Sequence, residues 1–107
     1  KRSSKSNMAY SISIAEVAEN DIREAFLWYE EQKTNLGSLF GQHVSKAVES
    51  IQGNPLKTQI RYGNTRIFLL EKFPYGIHFR VNETKKHVLI VAVFHTSKDA
   101  ESWTLRG

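Results

Sequence analysis

The sequence predicts an α+β fold of order β-α-α-β-β-β-β, with a helical hairpin packed on one face of an antiparallel sheet. Three observations predict it. Apolar residues between Ala18 and Ile51 recur at three- and four-residue steps, the period of a helix face. From Lys57 onward the period changes to two, the signature of strands. The chain has 107 residues, about 40% of them hydrophobic, which suffices for one small domain and not two.

The elements follow in order. "YSISI", Tyr10 to Ile14, alternates apolar and polar and reads as a first strand. Ala18, Ile22, Ala25 or Phe26, and Tyr29 form one face of a first helix. Glu16, Glu19 and Asp21 fall in its early turns, where the helix dipole favours acids, but no side chain stands out as its N-cap. "KTNLG" interrupts the pattern. Leu36, Phe40, Val44, Ala47, Val48 and Ile51 then share the face of a second helix, which "GNP", Gly53 to Pro55, terminates. The short break makes the two helices antiparallel neighbours. "TQIRY" and "TRIFLLE" flank the turn signal "GN", and "FPYG" is a second turn. "IHFRV" places Ile77, Phe79 and Val81 on one face and His78 and Arg80 on the other. "NETKK" is a third turn, and "HVLIVAVFH", apolar on both faces, is a central strand.

Composition narrows the function classes. There are no cysteines, so disulfides and thiolate metal sites are excluded, and a reducing cytoplasm fits. No apolar run approaches the roughly 18 residues of a membrane span, and no signal peptide is visible. The net charge of +4 is unevenly spread. "KRSSKSN" carries three bases and precedes Met8, so residues 1–8 read as a disordered arm or a tag remnant, with residues 9–107 as the domain. Residues 8–55 hold seven acids and three bases, whereas residues 56–107 hold nine bases and four acids. A basic second half fits an acidic partner, nucleic acid or protein, and equally an ordinary solvated surface.

Few residues carry chemistry. His43, His78, His87 and His95 make no His-x-x-x-His pair and lack the carboxylates zinc recruits, so neither a metal nor a cofactor is expected. No nucleophile elbow is present, and "YGNTR" is too poor in glycine for a phosphate loop. Arg66 and Arg80 lie in strands. With the helices on the apolar face, Arg80 and His78 fall on the open face, where a guanidinium can hold a phosphate. Cross-strand pairing with Glu71 or Glu83, or solvation, is the plainer role. His95 ends the buried strand and is either a general acid–base group or a strand cap. Trp28 lies off the main helical face and is expected at the surface, and Trp103 would staple the chain end to the sheet.

The element order, with "ENDIREAFLWYEEQ", "LEKFPYGIHFRV" and "VLIVAVFHTSKD", resembles the RelE/ParE superfamily of bacterial toxins, over Ala9 to about Trp103. The resemblance implies the toxin of a type II toxin–antitoxin pair, neutralised by a cognate antitoxin that wraps around it. Trp28, Tyr29 and Phe40 are the candidate antitoxin contacts.

Two activities occur in the superfamily. RelE-like members cut messenger RNA on the ribosome with basic residues of the open sheet face, and ParE-like members poison DNA gyrase. Position by position, the resemblance points to the ParE branch. Gly76 follows Tyr75 where RelE-like nucleases carry an arginine. Phe68 aligns with a lysine, and Ser97 and Trp103 with a catalytic arginine and tyrosine. Only Arg66 keeps a matching charge. His95, Lys98 and Asp99 resemble the H-x-x-(R/K)-D ending of ParE-like proteins. On this reading Arg66, Arg80, His95, Lys98 and Trp103 are candidates for target binding and none is catalytic. On the nuclease alternative Arg66, Arg80, His95 and Lys98 would form the catalytic set, with His95 as substitute base and the ribosome and its messenger RNA as partners.

Overall fold

A computed structural model of the chain describes residues 10–96. The elements are β1 (Ser11–Ile14), α1 (Glu16–Gln32), α2 (Leu36–Gly53), a single 3-10 turn (Pro55–Lys57), β2 (Ile60–Tyr62), β3 (Thr65–Leu69), β4 (Tyr75–Asn82) and β5 (His87–His95). The expected α+β order holds. The arm at residues 1–8 lies outside the described residues.

The five strands form one sheet of order β1-β5-β4-β3-β2. Pairing is antiparallel from β2 to β5, but β1 runs parallel to β5 along residues 11–14. The expected antiparallel sheet therefore acquires one parallel edge. With each successive element reversing direction, the fifth strand points the same way as the first. β1 is also short. It covers β5 only as far as Ile90, and beyond it the Val93 N–H donates to Asp21 Oδ2 of α1 at 3.0 Å. Asp21 thus fastens α1 to the uncovered stretch of the central strand, satisfying a sheet donor that would otherwise lack a strand partner. Its place in the sequence suggested only a dipole role.

The helical hairpin packs on one face of the sheet through Ala18, Ala25, Phe40, Val44, Ala47 and Ile51, against Ile77, Phe79, Val88, Ile90 and Val93. Ala15, the N-cap of α1, makes no side-chain capping bond, and α2 has none from its own N-cap, Asn35, either. The α2 cap comes from α1 instead. The Glu30 carboxylate accepts the N–H groups of Asn35 and Gly37, each at 2.9 Å. It satisfies two orphan donors and sets a negative charge at the positive end of the α2 dipole.

The close approach that permits this requires glycine. A Cβ at Gly37 would lie 2.6 Å from the Phe26 carbonyl oxygen and 2.9 Å from Glu30 Oε1. Gly37→Ala should therefore destabilise the fold by about 2 kcal/mol, as overpacking usually does, despite alanine's advantage of about 1 kcal/mol in helix propensity. Urea unfolding would check this, with Gly41→Ala as control because a Cβ there meets nothing within 4 Å.

Candidate functional site

The two faces of the sheet follow from the register. Residues directly opposite in an antiparallel pair share a face. Ile77 and Phe79 face the helices, so Phe68 and Arg66, their partners on β3, face the helices as well. Thr65, Ile67, His78, Arg80, Leu89 and Ala92 occupy the second face. Strand alternation therefore sends Arg66 and Arg80 to opposite faces. Arg66 Nη1 donates to the Thr58 carbonyl beside the 3-10 turn. Arg80 is exposed, and its Nε donates to Thr65 Oγ1 at 3.3 Å.

His78 corrects the sequence reading. It lies on the second face, as alternation requires, but is fully buried rather than open. Its Nδ1 is 2.8 Å from the Tyr62 hydroxyl, and its ring packs edge-on against Phe94 at 5.1 Å. Ile67, Ala92 and Phe94 are buried around it. At this end the second face is a packed layer. Gly76 belongs to the layer, because a Cβ there would lie 2.9 Å from Ile67 Cγ2 and 3.3 Å from Leu69 Cδ2. The position where the RelE resemblance implies an arginine is filled by neighbouring side chains.

The opposite end of the second face is open. A cleft of about 550 Å³ is lined there by residues that include Arg80, Glu83, His87 and Leu89, and also by Ile60 and Arg66, whose side chains reach it beside the irregularity in β2 although the β3 register turns Arg66 toward the helices. Ser11 Oγ lies 2.6 Å from His87 Nδ1 and ties β1 to β5 beside it. Leu89 opposes Arg80, and His95 is six residues further along β5, about 20 Å away at a strand's rise of ~3.3 Å per residue.

His95 also stands on the other face. It opposes Tyr75, with the two rings 5.2 Å apart. Thr96 N donates to the Pro74 carbonyl at 2.8 Å, which pins the end of β5 to the β3–β4 turn. His95 therefore borders the aromatic cluster at the connecting end of the helical hairpin, and the structure brings it together with neither Arg66 nor Arg80. Ser97, Lys98, Asp99 and Trp103 lie outside the described residues.

In that cluster Tyr29 stacks on Phe40 at 5.3 Å and meets Phe73 edge-on at 4.9 Å. Phe40 in turn packs against Tyr75 at 5.3 Å. The three candidate antitoxin contacts gather here at different depths. Trp28 is 47% exposed, as its place off the main helical face predicts. Its ring meets Tyr29 edge-on at 5.0 Å. Tyr29 is half-buried, and burial pushes the pKa of its hydroxyl above the ordinary value of 10.0. It stays protonated at neutral pH, and any contribution to stability is complete below about pH 10 and falls as pH rises past it. Phe40 is fully buried and cannot itself touch a partner, which corrects its place among the contacts. The periodicity places Phe40 on the apolar face of its helix, and that position, not surface stickiness, is the one it takes.

Among the described residues no group of three or more potential ligands could hold a metal ion, and no helix is long and apolar enough to cross a membrane. Residues 12–100 match the family model described as the ParE toxin of the type II toxin–antitoxin system parDE. No curated protein sequence matches the chain. Among solved structures, the chain is similar to one of a chromosomal ParDE toxin–antitoxin system from P. aeruginosa. That likeness has 18% identity and a TM-score of 0.70 over 82% of this chain and 97% of that one. It is also similar to a chain of the intact E. coli RelBE toxin–antitoxin complex, at 19% identity and a TM-score of 0.61 over 79% and 94% of the two chains. A chain of the RelBE2 complex from Mycobacterium tuberculosis gives 16% identity and a TM-score of 0.57 over 82% and 92%. At such identities these likenesses establish the fold, while the family match spans most of the sequence: the chain belongs to the ParE toxins of type II toxin–antitoxin systems, within the RelE/ParE superfamily.

Proposed function

We propose that this toxin inhibits DNA gyrase and that a cognate antitoxin neutralises it. The observation that carries the reading is the packed layer around Gly76. A nuclease of the RelE kind needs cationic groups converging on one scissile phosphate. Here Arg66 and Arg80 share one cleft, but Arg66 is tied to the Thr58 carbonyl, His95 lies at the far end of the sheet, and Gly76 has no room for a side chain. That arrangement suits a surface that docks on a protein better than one that moves protons. The family match agrees with it. For the antitoxin, the similar structures are named as toxin–antitoxin systems and complexes. The half-exposed Trp28 with Tyr29 behind it offers an aromatic anchor of the kind partners seat upon. The cytoplasm, where gyrase works, is the proposed location.

Growth inhibition tests the docking reading against the alternative, ribosome-dependent cleavage of messenger RNA. His95→Gln keeps a polar side chain but cannot act as a base near neutral pH, and should leave toxicity largely intact. Arg80→Ala and Lys98→Glu should weaken it, because one removes and the other inverts charge on the basic half of the chain. Coexpression with the neighbouring gene should relieve it. Loss of toxicity in a folded His95→Gln variant, with Lys98→Glu unchanged, would favour the nuclease, since losing a general base costs about a hundredfold or more.

A further inference from the structure

The open end of the second face has features that the proposed function does not use. Arg80 is exposed, yet its guanidinium is held in place. Its Nε–H is committed to Thr65 Oγ1, and Thr65 is itself completely buried. That bond orients the planar group and leaves its Nη edge, a fork of parallel donors, directed away from Thr65. Among the described residues no carboxylate pairs with Arg80, although Glu83 is on the cleft wall. Beside it stand two aliphatic side chains with large exposed surface, Leu89 at 37% and Ile60 at 50%. Lys85 and Lys86 in the adjoining turn are exposed and add positive charge.

From this we infer that the cleft is a docking site for an acidic segment of a protein partner. An Asp or Glu carboxylate takes the Arg80 fork, and a neighbouring leucine-type side chain covers Leu89 and Ile60. Charge complementarity selects an anion, and the aliphatic walls select among anions. A nucleic-acid strand would seek aromatic platforms for its bases and a row of cations for its phosphates. The lining supplies no phenylalanine, tyrosine or tryptophan ring, and its second arginine, Arg66, is tied to Thr58. A carboxylate beside an aliphatic group matches one fixed guanidinium on an apolar wall. The inference rests on the docking reading of this surface and not on the identity of the target.

The test is fluorescence anisotropy with the full chain and three labelled probes: a short peptide alternating glutamate and leucine, one alternating glutamate and serine, and a short DNA duplex. The glutamate–leucine peptide should bind most tightly. Arg80→Gln should weaken it about tenfold or more, the usual size of a lost charge-assisted pair. Arg80→Lys keeps the charge but loses the fork, and should weaken it by roughly fivefold. Thr65→Val, which frees the guanidinium without changing charge, should weaken it by about twofold to threefold. Circular dichroism would verify the fold of each variant, and Arg80→Lys serves as the conservative check. Absence of peptide binding, equal binding by Arg80→Gln, or tighter binding of the duplex through Arg80 would overturn the inference. Peptide binding in a protein that leaves gyrase untouched would sustain the inference and remove only the gyrase reading.

Discussion

Phe40→Ala is expected to destabilise the domain by about 3–5 kcal/mol, the cost of emptying a fully buried aromatic site. Phe40 is completely buried and touches Tyr29, Phe73 and Tyr75 within ring-centroid distances of 5.2–5.3 Å. None of these partners can move far, since each is also held by another ring or by the sheet. A domain of this size has only about 5–15 kcal/mol of net stability. The loss should lower Tm by roughly 15–30 °C and leave a measurable unfolded fraction at 37 °C. Trp28→Ala removes a half-exposed ring and should cost no more than about 1 kcal/mol, while weakening the antitoxin complex. Thermal unfolding of both variants would separate core from contact. A Phe40→Ala protein of unchanged Tm that fails only to bind antitoxin would refute the placement of Phe40 in the core.

Gly76→Arg is the second large effect. It restores the residue that the RelE resemblance implies at this position, and should yield a protein that folds poorly and cuts no RNA. The new Cβ would meet Ile67 Cγ2 at 2.9 Å. The guanidinium would then enter a layer where Ile67, His78, Ala92 and Phe94 are all buried. Overpacking costs about 1–3 kcal/mol, and an unpaired buried charge adds several kcal/mol more. A total loss of at least about 4 kcal/mol follows, which denaturant unfolding would detect. Gly76→Ala tests the steric part alone, at about 1–2 kcal/mol. A folded Gly76→Arg protein that cleaves messenger RNA would show that the layer is an active-site cavity in disguise.

Much of this architecture was legible in the sequence because periodicity reports burial directly. The helix face at Ala18, Ala25, Phe40, Val44 and Ile51 and the two-sided burial of β5 both read correctly. What was not legible depends on register and on contacts distant in sequence. Nothing in "YSISI" or "HVLI" distinguishes a parallel pairing from an antiparallel one. Asp21 looks like any acid in a first turn, and only the shortness of β1 gives it the Val93 N–H. Glu30 looks like any acid at a helix end, and it becomes the cap of the next helix because Gly37 lets the helices close. His78 read as open because alternation assigns a face but not what covers it. The candidate site divided the same way. Exposure of Arg80 and Trp28 followed from pattern, whereas the meeting of Arg66 and Arg80 in one cleft and the distance to His95 needed the three-dimensional structure.

The proposed action on gyrase through a docking surface, with no ribonuclease centre, can be tested directly. The purified protein is incubated with gyrase, supercoiled plasmid and ATP, beside a translation extract programmed with a defined messenger RNA. Gyrase-linked cleaved DNA should accumulate and be relieved by the antitoxin, with the messenger RNA intact. Codon-positioned cuts in the messenger RNA, with gyrase unaffected, would contradict the gyrase reading.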